Sequence, residues 1–243
     1  MTCTGVRESS ARTPPAQPPS AARCGSASYA HSISPRQSAQ KLEAIFVSSG
    51  KPFIIGIGGT TRPNSSTEKA LRVVLTHAEH LGCGTQLFGA GNLPLEIYDA
   101  DVDERTPLAR SLVAAMRAAD GIVIASPGYH GSMSGLIKNA LDFSEDMRAD
   151  ANVYFDGKAV GCIAVAAGSQ ALGSTVATIR SVVHSLRGWP TPYAAMINST
   201  ERPFDADGTA MSPAVLDALH TVAQQVVEFA WMRRLWVNSL PRA

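Results

Sequence analysis

From Lys51 onward, short β-branched runs alternate with stretches of helical period, the pattern of βαβ units around a mainly parallel sheet. PFIIGIG at 52–58 predicts a buried first strand. Leu71, Val74, Ala78 and Leu81 then recur at steps of three and four, which gives one apolar face to a helix from about Ser66 to Leu81. Thr85–Gly89 can form a second strand, and a polar connection at 92–106 leads to a helix with Leu108, Leu112, Ala115 and Ala119 inward. GIVIASP at 121–127 is apolar in the manner of a strand covered on both faces. Leu136, Ile137, Ala140 and Leu141 mark a third helix, and AVGCIAVAA at 159–167 a fourth strand. Val176, Ile179, Val183 and Leu186 mark a fourth helix, and Tyr193–Asn198 can close the sheet. Ser212 can cap a last helix with Pro213 in its first position, and Val215, Leu219, Val222, Val226 and Phe229 form its stripe. The pattern is that of a doubly wound α/β domain with five parallel strands and helices on both faces.

Composition agrees with a globular chain: of 243 residues, 45% are hydrophobic and 17% charged, too apolar for disorder throughout. Residues 1–40 differ, with eight Ser, seven Ala, five Pro and four Arg but one Glu, and no periodicity. Such a segment cannot bury enough to offset its chain entropy, so residues 1–50 are expected to be a disordered Ser/Pro/Ala-rich tail before a domain at 51–243. The acid-poor, basic bias also suits an organellar transit peptide, but Pro14, Pro15, Pro18, Pro19 and Pro35 oppose the amphipathic helix that import needs.

The net charge of +1 supplies no basic face for nucleic acid. No run of about 18 apolar residues is present, so no membrane span is expected. Cysteines at 3, 24, 83 and 162 are scattered, with no C-x-x-C and no His partner at metal-ligand spacing. No zinc site or disulfide framework is predicted, and a reducing, cytoplasmic setting fits. Gly56, Gly58 and Gly59 invite a dinucleotide reading, yet Thr61 stands where G-x-G-x-x-G needs its third Gly, and no Asp or Glu ends the second strand. The Walker pattern fails for want of any Gly-Lys pair before Ser or Thr. In GSMSG at 131–135 Met133 occupies a nucleophile's place.

In such sheets ligands bind outside the carboxyl ends of the strands. The first loop there reads GTTRPNSSTEKAL. Thr60, Thr61, Ser65, Ser66 and Thr67 supply hydroxyls, Arg62 a guanidinium, and a helix N-terminus supplies N–H groups, a set suited to one terminal phosphate. A hydroxyl-capped helix start explains Ser65 or Ser66 but not the whole set. The second loop, SPGYHGSMSG, combines Gly128 and Gly131 with Tyr129 and His130, and the third, AGSQALGS at 167–174, is again small and Gly-rich. Two backbone-lined walls and a phosphate cradle suit FMN, a planar ring carrying a phosphomonoester.

IGGTTRPNSSTEKAL, SPGYHGSMSGLIKNALDF and AAGSQALGS together closely resemble the NADPH-dependent FMN reductases, a flavodoxin-like family that includes NAD(P)H quinone, azo and chromate reductases. The resemblance covers about residues 52–200. It implies a parallel sheet of order 2-1-3-4-5, FMN and NADPH as cofactors, and a homodimer or homotetramer. It matches Thr60, Arg62, Ser65, Ser66 and Thr67 to the phosphate loop. Pro127, Gly128, Tyr129, His130, Gly131 and Ser132 match the loop beside the isoalloxazine, and Gly168 and Ser169 the loop opposite. Two departures stand out: Thr60 and Thr67 where Ser or Asn is common, and His130 where Asn is common. Lys138 and Asp142, four apart on one helix, form an ordinary exposed pair or, by the resemblance, part of a subunit contact.

The resemblance implies hydride transfer from NADPH to FMN and on to free flavin or another acceptor, with a flavin-dependent monooxygenase as a downstream partner. No catalytic side chain and no metal is required, because the cofactor supplies the chemistry. Two alternatives stand: a quinone, azo or chromate reductase that keeps its FMN, and a non-enzymatic flavodoxin-type electron carrier. Carriers are typically strongly acidic, whereas residues 51–243 carry 16 basic and 18 acidic groups.

Overall fold

The computed structural model describes residues 50–94 and 96–240, so the tail expected at 1–50 lies outside the described residues except for Gly50. The described elements are β1 (Phe53–Gly58), α1 (Ser66–His80), β2 (Gly84–Phe88), α2 (Pro107–Ala118), β3 (Gly121–Tyr129), β4 (Ser132–Met133), α3 (Gly135–Asp142), β5 (Ala159–Ala166), α4 (Ser169–Ser185), β6 (Trp189–Asn198) and α5 (Pro213–Ser239). Short 3-10 turns occupy Phe143–Met147 and Ser199–Glu201.

The sheet runs β2-β1-β3-β5-β6 with every neighbour parallel, and β4 pairs antiparallel with the end of β3. Apart from β4 this is the expected order. Two features of the sequence reading need correction. The third strand continues beyond Pro127 to Tyr129 because Gly128 and Tyr129 pair with Met133 and Ser132, so a short sixth strand forms where a loop was expected. The fourth helix begins at Ser169, not near Val176. Leu172, one turn before Val176, is buried with it against Ala164 and Ala166, and this packing carries the helix through a segment read as loop.

Along the central strands nearly every residue is buried, and successive side chains go to opposite faces as a period of two requires. Ile122 and Ile124 of β3 face α2, α3 and α4, where Leu112, Met116, Ile137, Leu141 and Ile179 pack. Val123 and Ala125 face α1 and α5, where Leu71, Val74, Leu219, Val222 and Val226 pack. Of the two tryptophans on the last helix, Trp231 packs against this second cluster, whereas Trp236 is exposed. Phe229 is half-buried against the Trp189 ring, at 5.9 Å.

The amino ends of the strands are tied by charge. Phe53 N–H donates to the Asp120 carboxylate at 2.8 Å, and Arg234 Nε of α5 donates to its other oxygen at 3.2 Å. Arg234 Nη1 also reaches the carbonyls of Gly50 and Lys51, at 3.2 and 3.1 Å. Between α1 and α5 the rings of His77 and His220 stack at 3.9 Å. His77 Nε2 is buried without a hydrogen bond, and burial, then His220 and His80, hold its pKa below the ordinary value.

Candidate functional site

Gly58, Ala125 and Ile163 sit in register across β1, β3 and β5, so the carboxyl ends of these strands form one rim. Strand order reverses between β1 and β3, the place where doubly wound sheets open a crevice. The close spacing there requires Gly58: a Cβ would stand 2.6 Å from the Ala125 carbonyl oxygen.

After Gly59 the chain turns tightly, Asn64 adopting a left-handed φ of 57°. The Thr60 hydroxyl accepts the Arg62 N–H at 3.1 Å, which closes the turn on itself. Ser65 caps α1 by accepting the Glu68 N–H at 3.3 Å. The first intrahelical bond, Lys69 N–H to the Ser65 carbonyl, leaves the N–H groups of Ser66 and Thr67 without helical partners. The expected hydroxyls are therefore not equivalent: Ser65 and Thr67 are buried, Thr60 and Ser66 are half-buried, and Thr61 is exposed. Arg62 is exposed and makes no ion pair among the described residues.

The second loop is a hairpin. His130 and Gly131 form its two-residue turn with φ of 50° and 82°, the positive values that tight hairpins favour. Below it, the Ser126 hydroxyl accepts the Ser134 N–H at 2.9 Å, and Ser134 caps α3. Pro127 is buried, Ser132 is half-buried, and Tyr129, His130 and Gly131 are exposed at the tip. Gly128 serves packing as much as any ligand: a Cβ would meet Thr175 Oγ1 of α4 at 2.7 Å and Ala166 of β5 at 3.0 Å. The third loop reduces to Ala167 and Gly168. Gly168, extended at φ −156°, is the N-cap of α4 and offers no side-chain cap. The first bond of α4, Leu172 N–H to the Gly168 carbonyl, leaves three N–H groups from Ser169 onward unspent.

Glu68 was missed by the sequence reading. It is 4% exposed, bonds Arg72 at 2.5 Å through Oε1, and leaves Oε2 buried without a hydrogen-bond partner. Cβ positions at Gly59 and Gly89 lie 3.8 and 3.3 Å from Oε2, so this carboxylate stands between the loop after β1 and the end of β2. The signal was available, since S-x-x-E at 65–68 is a capping-box pattern that draws its Glu toward the helix start. Asn139 was missed too. Its side chain accepts the Tyr98 N–H and donates to the Glu96 carbonyl, both at 2.8 Å, which ties the polar connection to α3.

Cys83 and Cys162 are free and buried. Burial pushes both the Cys83 and Cys162 thiols up to about 11, so neither ionises at neutral pH. No group of three or more His, Cys, Asp or Glu among the described residues could hold a metal. Lys138 and Asp142 pair at 2.5 Å on an exposed face of α3. No helix among the described residues is long and apolar enough to cross a membrane.

Fold and rim together define a doubly wound α/β protein in which a hydroxyl-rich loop, a hairpin and a helix start without a side-chain cap follow β1, β3 and β5. The family model for NADPH-dependent FMN reductases matches residues 52–201, and the chain belongs to that family. An FMN-dependent NADPH-azoreductase of Staphylococcus aureus is 28% identical over 156 residues, covering 62% of this chain and 79% of the relative. Among solved structures, the flavoenzyme NAD(P)H:acceptor oxidoreductase FerB from Paracoccus denitrificans superposes with a TM-score of 0.62 at 19% identity, covering 75% of this chain and 98% of that one. An NADH:FMN oxidoreductase in its apo form gives a TM-score of 0.54 at 21% identity, covering 72% and 90%. At those identities the structural likeness fixes the flavodoxin-like fold. Family membership makes the protein an NAD(P)H-dependent flavin oxidoreductase with FMN and NADPH as its cofactors.

Proposed function

We propose that FMN binds at the rim of β1, β3 and β5 and passes electrons from NADPH to a free flavin or quinone-like acceptor. Thr60, Arg62, Ser65, Ser66 and Thr67 hold the phosphate. Pro127, Gly128, Tyr129, His130, Gly131 and Ser132 wall one side of the ring, and Gly168 and Ser169 the other. The observation that carries this reading is a pair of helix starts, α1 and α4, that open onto the same rim with unspent N–H groups.

The donors fit the group. Ser66 and Thr67 N–H groups and the α1 dipole favour a phosphate, and Arg62 adds a charge-assisted bond. FMN supplies the hydride acceptor and the later loss of electrons. The chain's own residues orient and stabilise. The unspent N–H groups at the start of α4 would present fixed partial positive charge to the bound ring and stabilise negative charge on it. The hairpin, rigid through Ser126 and Ser134, keeps that face aligned. The buried Glu68 carboxylate opposes a phosphate nearby, and Arg72 offsets part of it.

An azo compound as acceptor is a second reading, favoured by the name of the staphylococcal relative. A flavin-dependent monooxygenase as recipient, a homodimer or homotetramer and a cytoplasmic location belong to the same proposal, as does a reductase domain spanning 51–243 with a dispensable tail at 1–50. The test is NAD(P)H oxidation by purified, dialysed protein with and without added FMN. Oxidation that needs added FMN marks a flavin reductase, and oxidation without it a reductase that keeps its flavin. No oxidation in either case, with FMN bound, leaves an electron carrier and defeats the proposal. Protein lacking residues 1–48 should keep the same rate, and loss of its circular-dichroism signal would show the tail to be structural.

A further inference from the structure

At the amino ends of the strands, opposite the rim, lies a cavity of about 570 Å³ lined by Arg117, Lys158, Arg233 and Arg234 together with Asp120 and Asp156. Two of its cations are matched, Arg117 to Asp150 at 2.6 Å and Arg234 to Asp120 at 3.2 Å. The other two are not. Lys158 is 7% exposed, and its ammonium donates only to backbone, to the carbonyls of Arg117 at 3.2 Å and Ala119 at 2.6 Å. Those bonds use two of its three protons.

Arg233 makes no ion pair among the described residues. Its guanidinium is nevertheless held in place, 4.7 Å from the centre of the Trp236 ring and hard against Gly157. A Cβ at Gly157 would stand 2.9 Å from Arg233 Nε, and the residue's φ of +73° is one that glycine reaches without strain. The guanidinium is therefore stacked on Trp236 with no carboxylate paired to its fork among the described residues. Asp156, on the exposed rim, is the one lining carboxylate without an ion pair among the described residues.

We infer that this cavity binds a phosphoryl oxyanion, either free or carried by a nucleotide. With Asp156 set against them, Lys158 and Arg233 leave a surplus of one positive charge at the cavity, which a bound oxyanion would offset. The planar fork of Arg233 matches paired phosphate oxygens, and Lys158, in the same lining, adds a second positive charge. Burial lowers the Lys158 pKa while Asp120 and Asp156 raise it, and a bound anion acts in the same sense as those carboxylates. The cavity cannot be the FMN phosphate site. Lys158 immediately precedes β5 and Gly168 lies just past its end, so eight strand residues, about 26 Å at ~3.3 Å each, separate the two.

The full-length protein, loaded with FMN and freed of the excess, is titrated with pyrophosphate by calorimetry at low ionic strength. Saturable binding with one site per chain is expected, with the bound flavin undisturbed in its absorbance. Arg233→Gln should weaken it by about tenfold or more. Asn238→Asp, which sets a negative charge on the cavity wall at an exposed helix position, should weaken it as well and keeps the test valid if the first variant fails to fold. ADP binding more tightly than pyrophosphate, with the same sensitivity to Arg233→Gln, assigns the phosphate to a nucleotide; equal binding assigns it to the free ion. Absence of heat, equal affinity in all three proteins, or displacement of FMN by pyrophosphate would each overturn the inference.

Discussion

At the amino ends of β1, β3 and β5 the chain is fixed by charge: Asp120 spans Phe53 and Arg234, and Lys158 closes the end of α2. At the carboxyl ends of the same strands it is fixed by shape, through glycines that admit neighbours, the left-handed turn residues Asn64, His130 and Gly131, and serine hydroxyls that cap helices. The contrast teaches how a binding rim is kept both rigid and unspent. Ion pairs would consume donors, whereas glycine contacts and caps hold the backbone while leaving N–H groups and Arg62 available to a ligand. Scaffolds that position exposed loops in this way are where binding residues concentrate.

The comparison breaks most visibly at Gly58. Gly58→Val forces a side chain onto the Ala125 carbonyl, a backbone atom that cannot step aside, and should cost at the upper end of about 1–3 kcal/mol. Thermal unfolding should fall by several degrees with FMN binding impaired, and an unchanged midpoint would show that β1 and β3 can part. Next in size is Arg62→Ala, which should weaken FMN by roughly tenfold to a hundredfold and riboflavin far less, because only FMN carries a phosphate. Equal small losses in fluorescence titrations of both flavins would remove Arg62 from the phosphate.

A smaller change of opposite sign is expected from Glu68→Gln. Deleting a buried negative charge beside the loop should tighten FMN by roughly threefold to tenfold, and should do less for riboflavin. Weaker FMN binding would mean instead that the carboxylate organises the turn. The smallest effect concerns the clamp between α1 and α5. The folded-state pKa of His77 lies below its ordinary value of 6.5, so in acid the unfolded chain takes up the proton first. The stability this residue contributes is present above pH 6.5 and declines as pH falls below it. In chemical denaturation between pH 7 and 5, His77→Phe should flatten that decline, and an unchanged slope would absolve the stacked pair.

Periodicity exposed the fold because each strand and helix buries one regular set of apolar side chains, and Leu71, Val74, Ile122, Ile124, Leu219 and Val226 all lie where that pattern puts them. The rim was legible in part. Ser65 as a cap and the turn-forming nature of Gly131 follow from local chemistry, but the extension of β3 depends on Ser132 and Met133 folding back, a pairing that no single-strand pattern declares. Gly128 looked like a ligand-facing glycine because its tightest neighbour, Thr175, is 47 positions away in sequence. Glu68 escaped notice for a similar reason: its burial is set by Gly59 and Gly89 closing over it from two other segments.

The Asp120–Arg234 tie also has a bearing on the order of folding. It joins the head of a central strand to the penultimate turns of the last helix, and Arg234 reaches back 184 positions to the Gly50 carbonyl. Contacts of such sequence separation form late, since closing the loop costs entropy before any bond compensates. On the ribosome, β1, α1 and β2 emerge long before the helix that covers the same face of the sheet. Until α5 is released, Val123, Ile163 and their neighbours have α1 alone over them, and the apolar surface left open favours association of the nascent chain.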